Sequence, residues 1–85
     1  MSGTFVQLID EALAGVNGEV LDKSRVIDRL LDLRIAADSP ELASAVDETL
    51  RNVPGRTMVP TAWLTEALSE LRLAAELEGE KTIAH

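Results

Sequence analysis

Apolar positions recur along this chain at the spacing of α-helices, in four blocks separated by turn residues. Phe5, Leu8, Ile9, Ala12, Leu13 and Val16 fall three or four residues apart, the stripe of an amphipathic helix. Thr4 with Gln7 has the pattern of a capping box at its start, and Gly15 and Gly18 are expected to stop it. A second block runs from a cap at Asp22 or Ser24 through Val26, Ile27, Leu30, Leu31, Leu33 and Ile35. It is apolar on more than one face, which predicts packing against neighbours on two sides. The third opens with Ser39-Pro40-Glu41 and turns Leu42, Val46, Leu50 and Val53 inward before Pro54-Gly55. The fourth starts near Pro60-Thr61, buries Leu64, Leu68, Leu71 and Ala75 with Ala67 and Ala74 alongside, and is expected to stop at Gly79.

No segment alternates with period two for long. Only Glu19-Val20-Leu21 and Thr57-Met58-Val59 read as strand-like, each lying between two helices. The spacing predicts an all-α domain in which these two pieces form at most a short antiparallel bridge.

The chain also reads as a duplication. Residues 9–18, IDEALAGVNG, align with 46–55, VDETLRNVPG, at an offset of 37, with five of ten positions identical. Residues 20–37 align with 58–75 at an offset of 38, with five of eighteen identical; the pairs include Leu30/Leu68, Leu33/Leu71 and Arg34/Arg72. Each unit is a helix–loop–helix whose apolar face cannot be buried alone. Stacked about a pseudo-two-fold axis, two such units close one core. Repeat one spans about 4–37 and repeat two about 39–78, within a single domain of 1–79 followed by a flexible tail, 80–85.

Two helix–loop–helix units with NGEVL in the first loop resemble a pair of EF-hands in topology and in the Gly-x-Val spacing. Such loops need oxygen ligands at their first, third, fifth and twelfth positions. With Gly18 sixth, those positions hold Leu13, Gly15, Asn17 and Ser24; with Gly55 sixth, they hold Leu50, Asn52, Pro54 and Thr61. Neither set cages calcium, so an EF-hand-pair-like four-helix bundle without calcium ligands is expected.

Composition narrows the function classes. The 85 residues carry 15 acidic and 8 basic side chains, a net charge of −7, which disfavours nucleic-acid binding. The basic residues are interleaved with acids and form no polybasic membrane anchor. There is no cysteine, which removes thiol-based metal and redox chemistry, and the single histidine is His85 at the end of the tail. No signal-peptide pattern and no apolar run of ~20 residues is present, so a cytoplasmic location is expected.

Chemistry has few candidates. AADSPEL around Ser39 resembles the Asp-Ser site of acyl and peptidyl carrier proteins, which implies a phosphopantetheine-modified Ser39. Pro40 stands where that motif has an apolar residue, and the segment before Ser39 reads as a helix where carriers have a long loop. Ser39 is better read as a helix cap, with Pro40 at the first helical position and Glu41 near the positive end of the helix dipole. The acidic pairs Asp10-Glu11 and Asp47-Glu48, with Asp28, Asp32, Glu66 and Glu70, read as solvated helix faces and not as acid–base catalysts. Arg34 and Arg72, at equivalent positions near helix ends, are expected to form structural ion pairs with Asp10 and Asp47 or the neighbouring Glu.

Where the two units differ, Trp63 replaces Arg25 and Met58 replaces Val20. Trp63 with Met58, Val59, Pro60 and Arg56 is expected to form a partner-binding patch at one end of the bundle. The expectation is a non-enzymatic acidic helical protein with no catalytic residue, cofactor or metal. It would act by contact with another protein or by self-association, as a homodimer, and not on nucleic acid or membrane. A carrier modified at Ser39 is the first alternative. A small DNA-binding regulator or antitoxin using the Lys23, Arg25 and Arg29 cluster is the second.

Overall fold

The structure is a computed structural model that describes the backbone of residues 3–83 and the side chains of residues 4–77. Four helices and two three-residue strands follow one another as α1 (Gly3–Ala14), β1 (Val20–Asp22), α2 (Lys23–Ala36), α3 (Pro40–Arg51), β2 (Met58–Pro60) and α4 (Thr61–Ile83). The domain is thus mostly helical with one small antiparallel sheet, as the two strand-like segments led one to expect.

β1 and β2 pair with Val20 opposite Pro60, Leu21 opposite Val59 and Asp22 opposite Met58. The ladder continues past each strand: Lys23 N–H donates to the Thr57 carbonyl, and Thr61 N–H donates to that of Glu19, each at 2.9 Å. Side chains alternate across a strand, so the central residue of each faces inward and its neighbours face out. Val59 is accordingly fully buried and Leu21 half-buried, while Val20, Asp22, Met58 and Pro60 are exposed.

The helices form a ring in which α1 packs on α2 and α4, and α3 on α2 and α4. The core comprises Phe5, Ile9 and Ala12 from α1, Val26, Leu30 and Leu33 from α2, and Leu42 and Val46 from α3. Val59 and, from α4, Leu64, Leu68, Leu71 and Ala75 complete it. Among the described residues no polar or charged residue is buried as a whole, Thr61 being half-buried with its hydroxyl out of solvent. The cohesion is therefore that of apolar packing, about 1.5–3 kcal/mol for each large side chain taken out of water.

Several boundaries differ from the sequence expectation. Thr4 lies inside α1, which already includes Gly3, so it is not the cap. Asp22 occupies the position before α2 but makes no side-chain capping bond. α4 runs through Gly79 to Ile83. A glycine ends a helix by taking a left-handed conformation, and among the described residues only Gly18 (φ 77°) and Gly55 (φ 79°) have positive φ. In mid-helix a glycine costs only about 1 kcal/mol, too little to end α4 among the helix-favouring residues around it. Of the expected tail, residues 84 and 85, including His85, lie outside the described residues.

α2 does pack against two helices, α1 and α3, but not through all the apolar positions expected to be covered. Leu31 and Ile35 are exposed, Ile35 at 83%. Among the described residues the main contacts of α2 are with α1, α3 and the sheet, and the stripe through Leu31 and Ile35 faces outward.

Candidate functional site

Ser39 sits in the three-residue link between α2 and α3 with extended backbone angles, and its Oγ accepts a hydrogen bond from Leu42 N–H at 3.2 Å. Pro40 takes the first helical position, where no N–H is needed, and Glu41 lies in the first turn. Ser39 is the N-cap of α3. The long loop that precedes the modified serine of a carrier protein is not here, because α2 ends at Ala36.

The two arginines each join a pair of helices. The Arg34 Nε on α2 donates to Asp47 Oδ1 on α3, and the Arg72 Nη1 on α4 donates to Asp10 Oδ1 on α1 at 2.8 Å. Arg72 also lies 3.5 Å from Glu76 one turn onward. The side chains of Arg34 and Asp47 are 50% and 35% exposed, so their pairing is that of a solvent-screened surface ion pair and adds little to stability. The hydrogen bond that Arg34 donates to Asp47, and then the Asp47 charge, raise the Arg34 guanidinium above its ordinary pKa. A raised value keeps this stabilisation complete below the ordinary guanidinium pKa and loses it only above, so Arg34 adds no pH dependence near neutrality.

The patch expected around Trp63 is not assembled as a unit. Val59 is in the core because it is the inward residue of β2. Met58 and Pro60 flank it on the outer face of the strand, and Arg56 is exposed in the preceding loop. Trp63, in the first turn of α4, is half-buried and leans against the core from the α3 side.

There it lines a groove of about 430 Å³ between α3 and α4. The α4 wall is Trp63, Ala67, Leu71 and Ala74, a stripe at helical spacing; the α3 wall is Ala45, Thr49 and Asn52, a second such stripe. Glu48 on one side and Glu66 with Glu70 on the other form an exposed acidic rim. Among the described residues none of these three glutamates has a cationic partner within 4.0 Å, and the Trp63 indole N–H has no hydrogen-bond partner.

Sequence reasoning placed Trp63 but missed the groove. Its signal lay in small side chains on facing helices: Ala45 and Thr49 on α3 and Ala67 and Ala74 on α4 do not fill the space between them. A smaller hollow of about 110 Å³ between α1 and α2 is lined in part by Ala12, Gly15, Arg25 and Arg29. Two arginines thus line the smaller hollow, whereas no basic residue lines the larger groove.

Among the described residues no group of three or more Asp, Glu, His or Cys side chains converges to hold a metal ion, and no helix is long and apolar enough to cross a membrane. The fold and groove together define a small, mostly helical domain with an acidic-rimmed cleft between α3 and α4. Compared with known proteins, the chain matches no family model, no curated protein and no solved structure.

Proposed function

We propose that this protein performs no chemistry of its own and acts by protein–protein contact, as an adaptor, regulator or subunit, through the α3–α4 groove. The observation that carries this reading is the groove itself. A half-buried tryptophan and a floor of small apolar side chains are open to solvent beside acids that no described cation neutralises. Tryptophan gives large, rigid contact area, and energetically dominant interface residues concentrate where such a side chain sits in a pocket ringed by polar groups.

The architecture supports the same reading. We take the chain as two helix–loop–helix units about a pseudo-two-fold axis, an EF-hand-pair-like arrangement without calcium ligands. In support, β1 and β2 are 38 residues apart, as are the donors Lys23 and Thr61 and the acceptors Glu19 and Thr57. Arg34 and Arg72 are also 38 apart, and their partners Asp47 and Asp10 are 37 apart. In such a duplication the two inter-helix clefts are equivalent, and they differ most where function has acted on one of them. Trp63 against Arg25 and Ala67 against Arg29 are differences of that kind, and they separate the larger groove from the smaller hollow.

The test is site-specific photo-cross-linking in the host cell. A photoreactive residue at Ala67 is expected to give a discrete adduct with one other protein, whereas the same residue at exposed Asp32 on α2 gives none. Equal labelling from both positions, or no adduct from Ala67, would overturn the reading.

A further inference from the structure

Resting on that reading of the groove, we infer that its occupant is a helical segment of another protein, with a strip of small or aliphatic side chains flanked by lysine or arginine. Three features of the cleft carry this.

The first is the nature of the walls. Both are helices, whose backbone donors and acceptors are already used within each helix, so an extended segment finds no sheet edge to join. A helix satisfies its own backbone and brings only side chains to the contact.

The second is shape. The α4 wall from Trp63 to Ala74 is about 16 Å long at 1.5 Å per residue, which accommodates roughly three turns of a partner helix. Ala45, Ala67 and Ala74 present little bulk, so the ridge of an incoming helix can settle between α3 and α4.

The third is charge. Glu48 lies on one rim and Glu66 and Glu70, one turn apart, on the other, without cationic partners among the described residues. A helix seated between them meets a carboxylate on either flank. An acidic or neutral segment would leave those carboxylates partly desolvated and unpaired, whereas a basic one pairs them. The net charge of −7 adds steering of a cationic partner. The exposed stripe of Leu31 and Ile35 also has acids beside it, Asp28 and Asp32, but with Ile35 at 83% exposure it stands on an open face and not in a groove.

Trp63 is the only tryptophan of the chain and so reports on the groove directly. The test is a fluorescence titration of the intact protein with Trp-free helical peptides of about four turns. One carries Ala and Leu on one face with Lys on its flanks, and its twin carries Glu at the Lys positions. The Lys peptide is expected to shift Trp63 emission saturably, with affinity that falls as salt rises. Combining Glu66→Gln with Glu70→Gln is expected to weaken it about three- to tenfold, and Ala67→Arg to abolish it. These surface substitutions leave the core intact, which the far-UV circular dichroism of each variant checks.

If both peptides bind alike, independent of salt, the basic partner is wrong while a groove that docks proteins stands. If neither binds and Ala67 gives no cross-link in cells, both readings fail. A Trp63 shift that follows protein concentration alone would overturn the inference in favour of a second copy of this chain.

Discussion

Gly18 and Gly55 occupy the two loops that lead into the strands, with almost the same left-handed φ, 77° and 79°, yet alanine at the two is expected to behave differently. Holding alanine in that conformation costs roughly 1–2 kcal/mol at either position. At Gly18 nothing lies within 4 Å of an added Cβ, so this is the whole effect. At Gly55 the Cβ falls 2.1 Å from the Met58 carbonyl oxygen, a backbone atom that cannot rotate away. Relief requires β2 or the loop to move by about 1 Å, and β2 is tied down. Met58 pairs with Asp22, Val59 is fully buried, and the Gly55 carbonyl itself accepts a 2.6 Å bond from Lys23 Nζ. Disturbing the strand pair and the packing of Val59 adds about 1–3 kcal/mol, as expected for overpacking a tight site. Gly55→Ala is therefore expected to lose about 2–5 kcal/mol and Gly18→Ala about 1–2. The difference is large against a total of roughly 4–13 kcal/mol for a domain of this size. Urea unfolding followed by Trp63 fluorescence and by circular dichroism measures both. Losses that agree to within about 0.5 kcal/mol would refute the claim that the Met58 carbonyl closes over Gly55.

Further expectations follow from the same packing. Adjacent residues on α2 separate core from surface: Leu30→Ala, fully buried, should cost about 2–5 kcal/mol, whereas Leu31→Ala, at 43% exposure, should cost less than about 1 kcal/mol; equal losses would contradict the assigned face of α2. The Thr61 hydroxyl is buried without a hydrogen-bond partner among the described residues, so Thr61→Val, which keeps the branched shape, should gain about 1 kcal/mol. That gain corresponds to a melting temperature higher by roughly 4–8 °C, and a fall would mean the hydroxyl is paired. Ser39→Ala removes the cap of α3 and should cost about 0.5–2 kcal/mol by thermal melting, with Ser39→Asp restoring most of it.

The helical stripes were legible because the core is purely apolar. Phe5, Ile9 and Ala12, and Leu64, Leu68 and Leu71, repeat at mixed four- and three-residue steps that a helix but not a strand places on one face, and no buried polar residue interrupts them. The strand pair was legible because its two segments lie at matching places between helices. Gly79 misled because a glycine ends a helix only if the chain has reason to turn there, and that reason is tertiary. Val59 misled because nearness in sequence to Met58 and Trp63 suggested one patch, while the strand period turns Val59 inward and its neighbours outward. Leu31 and Ile35 show the converse limit: an apolar position is buried only if a neighbour is there to cover it, and sequence does not supply the neighbour. The groove escaped for a related reason, since space between helices is set by both walls and no single stripe of alanines announces it.

The central claim is that the α3–α4 groove is the surface this protein uses. It is tested most directly by amide NMR chemical shifts of the isotopically labelled chain, recorded as the basic helical peptide is added. The account predicts shifts confined to two stretches, 45–52 on α3 and 63–74 on α4, with α1 and the outer face of α2 unchanged. Shifts centred on Leu31 and Ile35, or on Arg25 and Arg29, would contradict it and move the contact surface to the other side of the molecule.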